Sequence, residues 1–325
     1  MKAIMCRALG SPDTLTYETD LPDPESGEGE VVIEVASAGV NFPDTLVIQG
    51  LYQFRPDLPF SPGGEVAGTI KSVGPGVSGW AVGDRVAYMC LTGGFRDQIV
   101  ASAAGLMRVP NTLPLTTAGG FIITYGTSMH ALTQRAQLKA GESLLVLGAG
   151  GGVGLAAVEI GKAMGARVIA AASSAEKLAA AKAAGADDLI NYSEQDLREA
   201  LKALVGKRGV DVVYDPVGGS NFEAALRSTA WGGRALVVGF ASGDIPKVPA
   251  NLPLLKGCSV VGVFWGEHRL RDVATDNANF DQLFAWHAEG KINPLISHEM
   301  PLNEAAEALT LLQDRKALGK IILIP

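Results

Sequence analysis

The sequence predicts an α/β protein, a doubly wound parallel sheet joined to a smaller β-rich part. Three observations carry that expectation. Leu144–Gly154 runs from an apolar strand into a glycine turn, and a helical segment follows. A second strand, Arg167–Ala172, closes the frame within roughly 30 residues, as a βαβ unit requires. Residues 1–110 consist of short apolar runs punctuated by proline and glycine, the pattern of a small, partly open barrel.

The first strand is Leu144–Leu147, four apolar residues in a row, as expected of a parallel strand buried on both faces. Leu155–Met164 contains good helix formers. Between them lie Gly148, Gly150, Gly151, Gly152, Val153 and Gly154. Gly148, Gly151 and Gly154 stand at a G-x-x-G-x-x-G spacing, a variant of the dinucleotide fingerprint. One glycine makes the turn, one admits a diphosphate, and one lets the helix pack on the strand. The amides and dipole at the helix start favour an anion there. Standing alone, a glycine run also reads as a flexible turn. The frame around this one points to a nucleotide.

The end of the second strand bears on which nucleotide. NAD enzymes commonly place a carboxylate about 20 residues beyond the glycines, on the ribose 2′-hydroxyl. Here the strand runs into Ser173 and Ser174, with Lys177 one helical turn further. Two hydroxyls and an ammonium suit a 2′-phosphate, so NADP(H) is the expected cofactor. Glu176 is expected on the water face of the next helix. The plainer roles are a helix cap for Ser174 and a solvated side chain for Lys177.

Later segments repeat the alternation. Helix 175–184 leads to a strand near 189–192, helix 194–205 to strand Val210–Asp215, and strands 234–239 and 259–265 follow. Pro216–Gly219 and Phe240–Gly243, which includes Ser242, fall at strand tips, where open α/β sheets bind ligands. Helix 303–314 is amphipathic, and Lys320–Ile324 reads as a last strand. In the β-rich part, strands are expected at Val31–Ala36, Gly64–Gly74 and from Gly83 to Tyr88.

Composition narrows the function. Hydrophobic residues make up 47% and charged residues 19% of the 325, which fits a globular enzyme rather than a disordered chain. A net charge of −7 with no basic run argues against nucleic acid and anionic membranes as partners. Met1–Gly10 has no apolar run of the secretory kind, and 109–134 is interrupted by prolines and glycines. Cys6, Cys90 and Cys258 are odd in number and far apart, which suits a reducing, cytoplasmic setting. His130, His268, His287 and His298 show no metal-binding spacing, and no G-x-S-x-G elbow is present.

Ala38–Asp44, Gly50-Leu51-Tyr52, Pro62–Gly68, Gly83–Val86 and the glycine turn together resemble the medium-chain dehydrogenase/reductase superfamily. More narrowly, they are similar to its zinc-independent NADPH:quinone oxidoreductase branch, which includes the zeta-crystallins. The resemblance spans essentially the whole chain. It implies a Rossmann sheet at 123–265 inserted into a GroES-like β-barrel domain at 1–122, completed by 266–325. It also implies no metal. Zinc enzymes of the superfamily carry Cys where this chain has Asn41 and His where it has Gly64, and their four-cysteine lobe is missing.

The resemblance further places residues around the cofactor. Thr127, in a segment expected to open a helix at Gly126, lies near the nicotinamide end; the plainer and compatible role is an N-cap hydroxyl for that helix. Tyr192 is a candidate 2′-phosphate contact. Phe240 and Val263, Phe264 and Trp265 approach the ring, with a plain core role as the other reading for Phe240 and Phe264. Gly319-Lys320 corresponds to a C-terminal Gly-Lys near the cofactor cleft. Asn41 and Tyr52 line the substrate side, Asn41 offering amide hydrogen bonds to a carbonyl oxygen and Tyr52 a hydrogen bond or a proton. The other reading for Tyr52 is packing beside the cofactor.

The expected reaction is hydride transfer from NADPH to a quinone. Reduction of an enal, enone or enoyl thioester is the alternative acceptor chemistry, and NADPH binding without turnover, in a sensor or structural role, is a third reading. The late apolar strand at 259–265 is expected at a sheet edge. Related enzymes join such edges, so a homodimer is expected.

Overall fold

The computed structural model describes residues 1–325. The chain forms two compact units, Met1–Ile123 with Ile296–Pro325, and Thr124–Leu295.

The first unit opens with a small antiparallel pair, β1 (Ala3–Met5) and β2 (Thr16–Glu18). Its main sheet is built on β3 (Glu30–Val40), which leads directly into α1 (Phe42–Val47). β4 (Glu65–Val73), β5 (Arg85–Met89), β6 (Gln98–Ser102) and β7 (Leu106–Arg108) follow, then the short α2 (Leu115–Ala118). β3 is long enough to have different neighbours at its two ends. β4 runs beside it from Val31↔Val73 to Gly39↔Glu65. On its other side β6 pairs with Glu30–Glu34 only, leaving Ala38–Val40 free for another strand.

The unit boundary falls within α3 (Ile122–His130). The second unit then alternates strictly. β8 (Ser143–Leu147) enters α4 (Gly152–Ala163), β9 (Arg167–Ala172) enters α5 (Ala175–Ala183), and β10 (Asp188–Asn191) enters α6 (Leu197–Val205). β11 (Val210–Asp215), α7 (Ser220–Arg227), β12 (Thr229–Val237), α8 (Asn251–Lys256) and β13 (Ser259–Gly262) complete the sheet, and α9 (Trp265–Arg271) and α10 (Val273–Ala288) follow. All six strands are parallel, in the order β10-β9-β8-β11-β12-β13. That is the doubly wound order, with β8 and β9 adjacent and the strand order reversing beside β8. Parallel pairing puts all six strand C-termini on one edge. Every residue of β8 and β11 is buried, which is why these strands read as unbroken apolar runs rather than alternating ones.

The chain then returns to the first unit with β14 (Ile296–Pro301), α11 (Ala305–Gln313) and β15 (Lys320–Ile324). β15 takes the vacant end of β3, pairing Ile321 with Val40 and Leu323 with Ala38. Ala305, Ala308 and Leu309 are the buried stripe of α11, in the same core as Ile33, Val66 and Phe95.

Four expectations need correction. The return to the first unit is at 296, not 266. Trp265 explains the difference: its ring is buried, and Gly126 lies so close that a Cβ there would come within 2.5 Å of it. Its Nε1 donates to Asp276 at 2.7 Å, and Arg269 pairs with the same carboxylate, so α9 and α10 belong to the second unit. The last strand ends at Gly262 rather than 265, because Trp265 begins α9. The 234–239 strand begins at Thr229 and ends at Val237. Gly126 and Thr127 do not open a helix. α3 starts at Ile122, so Thr127 lies in its interior and cannot cap it. No helix is long and apolar enough to cross a membrane.

Candidate functional site

In the second unit the glycine turn is shaped by close contact. Gly148 has φ +60°, a conformation few side chains tolerate. A Cβ on Gly154 would lie 2.2 Å from the Gly148 carbonyl oxygen, so only glycine lets the first turn of α4 sit this close to the end of β8. A Cβ on Gly150 would meet the Lys177 side chain at 2.5 Å. Gly151 is the N-cap of α4 and has no side chain to spend on the first-turn amides. Gly152, Val153 and Gly154 therefore begin a twelve-residue helix whose N-terminus is open to an anion. This cradle fits a diphosphate.

Neighbouring strand ends bring further residues to the same edge. Asn191 pairs with Ala172, and the Tyr192 amide donates to the Ala172 carbonyl at 3.1 Å, so Tyr192 adjoins Ser173 and Ser174. Ser174 is also the N-cap of α5, accepting from the Lys177 amide at 3.4 Å. Glu176, between Ser174 and Lys177 in sequence, is exposed. At the tip of β11, the Asp215 carboxylate accepts from the amides of Val217 (2.7 Å) and Gly218 (3.0 Å), folding that loop. Burial nevertheless pushes the Asp215 carboxyl above its ordinary range. Phe240 is half-buried beside Gly218. The Ser242 hydroxyl donates to Asp244 O and accepts its amide, closing its own turn. Val263 is half-buried, and Phe264 is 61% exposed, which removes the core reading for Phe264. Trp265 is corrected: its indole faces the interior and is spent on Asp276, so it offers no ring to a cofactor.

Two buried residues tie this edge together, and sequence reading missed both. Ser128 Oγ lies 3.0 Å from the Val153 carbonyl, to which it donates, and 2.9 Å from the Tyr214 hydroxyl. The neighbour of Thr127 thus bonds directly to the first turn of α4. Elsewhere in the unit, His130 and His268 stack with ring centroids 4.0 Å apart. Burial, His268 and Arg135 lower the His130 pKa to about 4, so its ring is neutral near pH 7.

The first unit holds a buried polar cluster where three strand ends meet. β3 ends beside Asn41, β4 begins with Glu65 and β15 begins with Lys320. All three residues are at most 5% exposed. Lys320 Nζ donates to Glu65 Oε1 at 2.7 Å, Asn41 Oδ1 at 2.5 Å and Val40 O at 3.0 Å. Asn41 Nδ2 donates to Glu65 Oε1 at 2.9 Å and Gly39 O at 3.2 Å, and Glu65 Oε2 accepts the Ile123 amide at 2.9 Å. Gly39 is obligatory here: a Cβ would lie 2.3 Å from Glu65 Oε1 and 2.5 Å from Gly119 O. Asp44 Oδ2 accepts the Asn41 amide at 2.8 Å from inside the first turn of α1. Burial raises the Asp44 pKa to about 7, opposed by the amides of Asn41 and Gly63 and by Lys320, and aided by Glu65.

This arrangement revises two expected roles. Lys320 has all three ammonium protons engaged inside the first unit and none for a cofactor. Asn41 has both amide protons engaged, so it cannot offer them to a carbonyl oxygen. Tyr52 is half-buried against the first-unit core, and its hydroxyl makes no hydrogen bond within the chain. Burial and the nearby Asp44 raise its pKa, keeping the phenol protonated. Glu65, not among the expected site residues, could have been suspected from sequence. It is a charge that opens a largely apolar strand, and a buried charge needs a partner.

Comparison with known proteins agrees with these two units. Residues 152–279 match the zinc-binding dehydrogenase family, and residues 27–111 match the alcohol dehydrogenase GroES-like domain. A quinone oxidoreductase-like protein 2 homolog from Nematostella vectensis is 37% identical over 99% of this chain and 88% of its own. The Escherichia coli quinone oxidoreductase, solved in complex with NADPH, is 31% identical over 100% of both chains with a TM-score of 0.92. The Pseudomonas syringae quinone oxidoreductase is 33% identical over 100% of this chain and 99% of that one, also with a TM-score of 0.92. The chain belongs to the quinone oxidoreductase family of the medium-chain dehydrogenase/reductase superfamily. Its fold is the family's Rossmann-like parallel sheet with a separate GroES-like domain.

Proposed function

We propose that this protein is an NADPH-dependent reductase that delivers a hydride to a quinone without a metal ion. The observation that carries the reading is the α4 cradle, where glycine is required at 148 and 154 and the first-turn amides face an anion uncapped. Likeness across the full chain to an enzyme solved with NADPH supports it. The diphosphate is held by the amides of Gly152, Val153 and Gly154, with Gly148, Gly150 and Gly151 shaping the approach. The 2′-phosphate is read by Ser173, Ser174, Lys177 and Tyr192. Thr127, Phe240, Ser242, Val263 and Phe264 border the nicotinamide.

When bound, NADPH supplies a hydride; a quinone that takes it together with one proton leaves as hydroquinone, and NADP⁺ remains. Tyr52 is the residue able to supply a hydrogen bond to the acceptor oxygen, since its hydroxyl is not otherwise engaged. The Asn41 amide is held by Gly39 O, Glu65 and Lys320. No group of three histidine, cysteine or acidic side chains is placed to hold a metal, and the counter-charge in the first unit is the Lys320 ammonium. A homodimer joined through β13 completes the proposal. β13 is the outermost strand, and Trp231, Leu254 and Leu255 stand exposed in the segments that precede it, at 82%, 75% and 68%.

The test is oxidation of NADPH with 1,2-naphthoquinone or 9,10-phenanthrenequinone, run beside 2-alkenals, on protein assayed for zinc. Rapid turnover of the quinones by zinc-free protein is expected. Preference for the alkenals would make it an alkene reductase. Tight NADPH binding without turnover by any acceptor would make it a binding protein.

A further inference from the structure

Ser128 stands inside α3 and Tyr214 inside β11, and both are fully buried. Tyr214 pairs with Val146 of β8, just before the Gly148 turn, and the two hydroxyls meet 2.9 Å apart. Ser128 Oγ is also 3.0 Å from the Val153 carbonyl oxygen. A carbonyl only accepts, so the single Ser128 proton goes to Val153. The proton between the two hydroxyls is then that of Tyr214, which burial keeps on the phenol. The result is a directed chain from Tyr214 to Ser128 to Val153 O.

The chain ends on a particular peptide. Val153 lies in the first turn of α4, and its carbonyl shares a peptide unit with the Gly154 N–H. In a helix the carbonyl points toward the C-terminus and the N–H toward the N-terminus. One lone pair of Val153 O serves the helix ladder, and Ser128 takes the other. The Gly154 N–H, at the opposite end of that unit, has no acceptor within the chain. Accepting a hydrogen bond at the carbonyl makes the N–H of the same peptide a stronger donor, by about 10–30% per bond. A second tether grips α4 more than one turn beyond Val153. The Tyr125 hydroxyl, also from α3, donates to Glu159 Oε2, and Glu159 Oε1 accepts the Asn293 amide at 3.0 Å. That tether touches no amide at the helix start.

We propose that Tyr214 and Ser128 are positioning residues for the diphosphate: their hydrogen-bond chain holds the Val153–Gly154 peptide in place and strengthens the Gly154 N–H that the diphosphate meets. This inference rests on the reading above that the start of α4 holds the diphosphate. Neither side chain touches the nucleotide; each acts through the backbone of α4.

The experiment compares the full-length protein with Ser128→Ala, Tyr214→Phe, the double variant, and Tyr125→Phe at the second tether. The readouts are NADPH and NADH affinity by isothermal titration, the thermal midpoint, and the Gly154 amide ¹⁵N resonance of the nucleotide-free protein. Ser128→Ala is expected to weaken NADPH and NADH by the same factor, about 3- to 10-fold, the scale of one hydrogen bond, because both carry the diphosphate. It also strands the buried Tyr214 hydroxyl, so its thermal midpoint falls. The double variant removes the stranded group and recovers part of the midpoint but none of the affinity. Tyr214→Phe alone leaves Ser128 donating to Val153 and weakens binding by no more than about twofold. Tyr125→Phe lowers the midpoint with affinity unchanged, and Ser128→Ala moves the Gly154 resonance further than Tyr125→Phe does.

A folded double variant that binds both nucleotides as wild type does overturns the proposal. So does affinity that recovers together with the midpoint, a loss confined to NADPH, an equal loss in Tyr125→Phe, or an unmoved Gly154 resonance. Should Ser128→Ala not fold, the double variant decides, since it leaves no hydroxyl stranded. If wild-type protein binds neither nucleotide, the diphosphate reading fails and this proposal with it. Wild-type binding that the double variant keeps overturns the proposal alone.

Discussion

The two units build their sites from opposite materials. The second unit uses backbone: glycines at 148 and 154 whose absent side chains make room, and a helix start whose amides carry no cap. The first unit uses buried charge: Glu65 and Lys320, at most 5% exposed, with Asn41 fixed between them. A backbone site is specified by a few consecutive residues and is legible in sequence. A charge site is specified by strand order, and its parts come from residues 41, 65 and 320. The first tolerates changes around it but none in it. The second tolerates a matched exchange better than a single loss.

That contrast is tested most severely at the charge pair. Removing one partner from a buried ion pair leaves an uncompensated charge and costs about 3–5 kcal/mol, whereas removing both costs much less. Glu65→Gln is therefore expected to lower the urea midpoint sharply, and Glu65→Gln with Lys320→Met to recover a large part of the loss. Additive losses in the double variant would show that the pair does not act as one element.

Gly154→Ala is the corresponding break in the second unit. Its Cβ would meet the Gly148 carbonyl oxygen at 2.2 Å, so a cost of about 1–3 kcal/mol from overpacking is expected. Isothermal titration should show NADPH binding weakened far beyond that seen for any Glu65 variant that still folds. Equal weakening in both would erase the distinction between the units.

Asp44 sharpens it through pH. Its pKa rises from 3.8 when unfolded to about 7 when folded. The folded state therefore holds a proton that the unfolded chain has released, and stability falls as pH rises between those values. The slope from this group is at most about 1.4 kcal/mol per pH unit. Its contribution is full below the unfolded value and lost as pH rises through about 7. The difference in unfolding free energy between wild type and Asp44→Asn should carry this slope from pH 5 to 7. A pH-independent difference would mean that Asp44 does not titrate in the folded cluster.

The smallest expected effect is at Lys177. Lys177→Ala removes one half-buried charge from a 2′-phosphate and should weaken NADPH by roughly tenfold, about 1.4 kcal/mol, while leaving NADH unchanged. An equal effect on both nucleotides would deny it that role.

Much of the second unit was legible in the sequence because its signals are local. Arg167–Ala172 and Val210–Asp215 are strands with the expected bounds, and Ser174 caps α5 as its residue type suggests. Misreadings arose where tertiary contact decided. Val263–Trp265 continues an apolar run, but the Trp265 ring turns inward to Asp276 and begins a helix. The same indole holds 266–295 in the second unit, thirty residues past the expected return. Thr127 reads as a helix start because Gly126 precedes it, yet Gly126 is inside α3 to make room for Trp265. Asn41 and Lys320 were recognised as site residues, but their pairing rests on β15 closing against β3, which no local spacing reveals.

The central claim is that the second unit holds NADPH and that the protein uses it to reduce a quinone with no metal ion. Single-turnover mixing of the NADPH-loaded, zinc-free protein with 9,10-phenanthrenequinone tests this most directly. Loss of one reduced nicotinamide per active site and formation of one hydroquinone is the predicted result. No saturable NADPH binding, or turnover that appears only when zinc is restored, would contradict it.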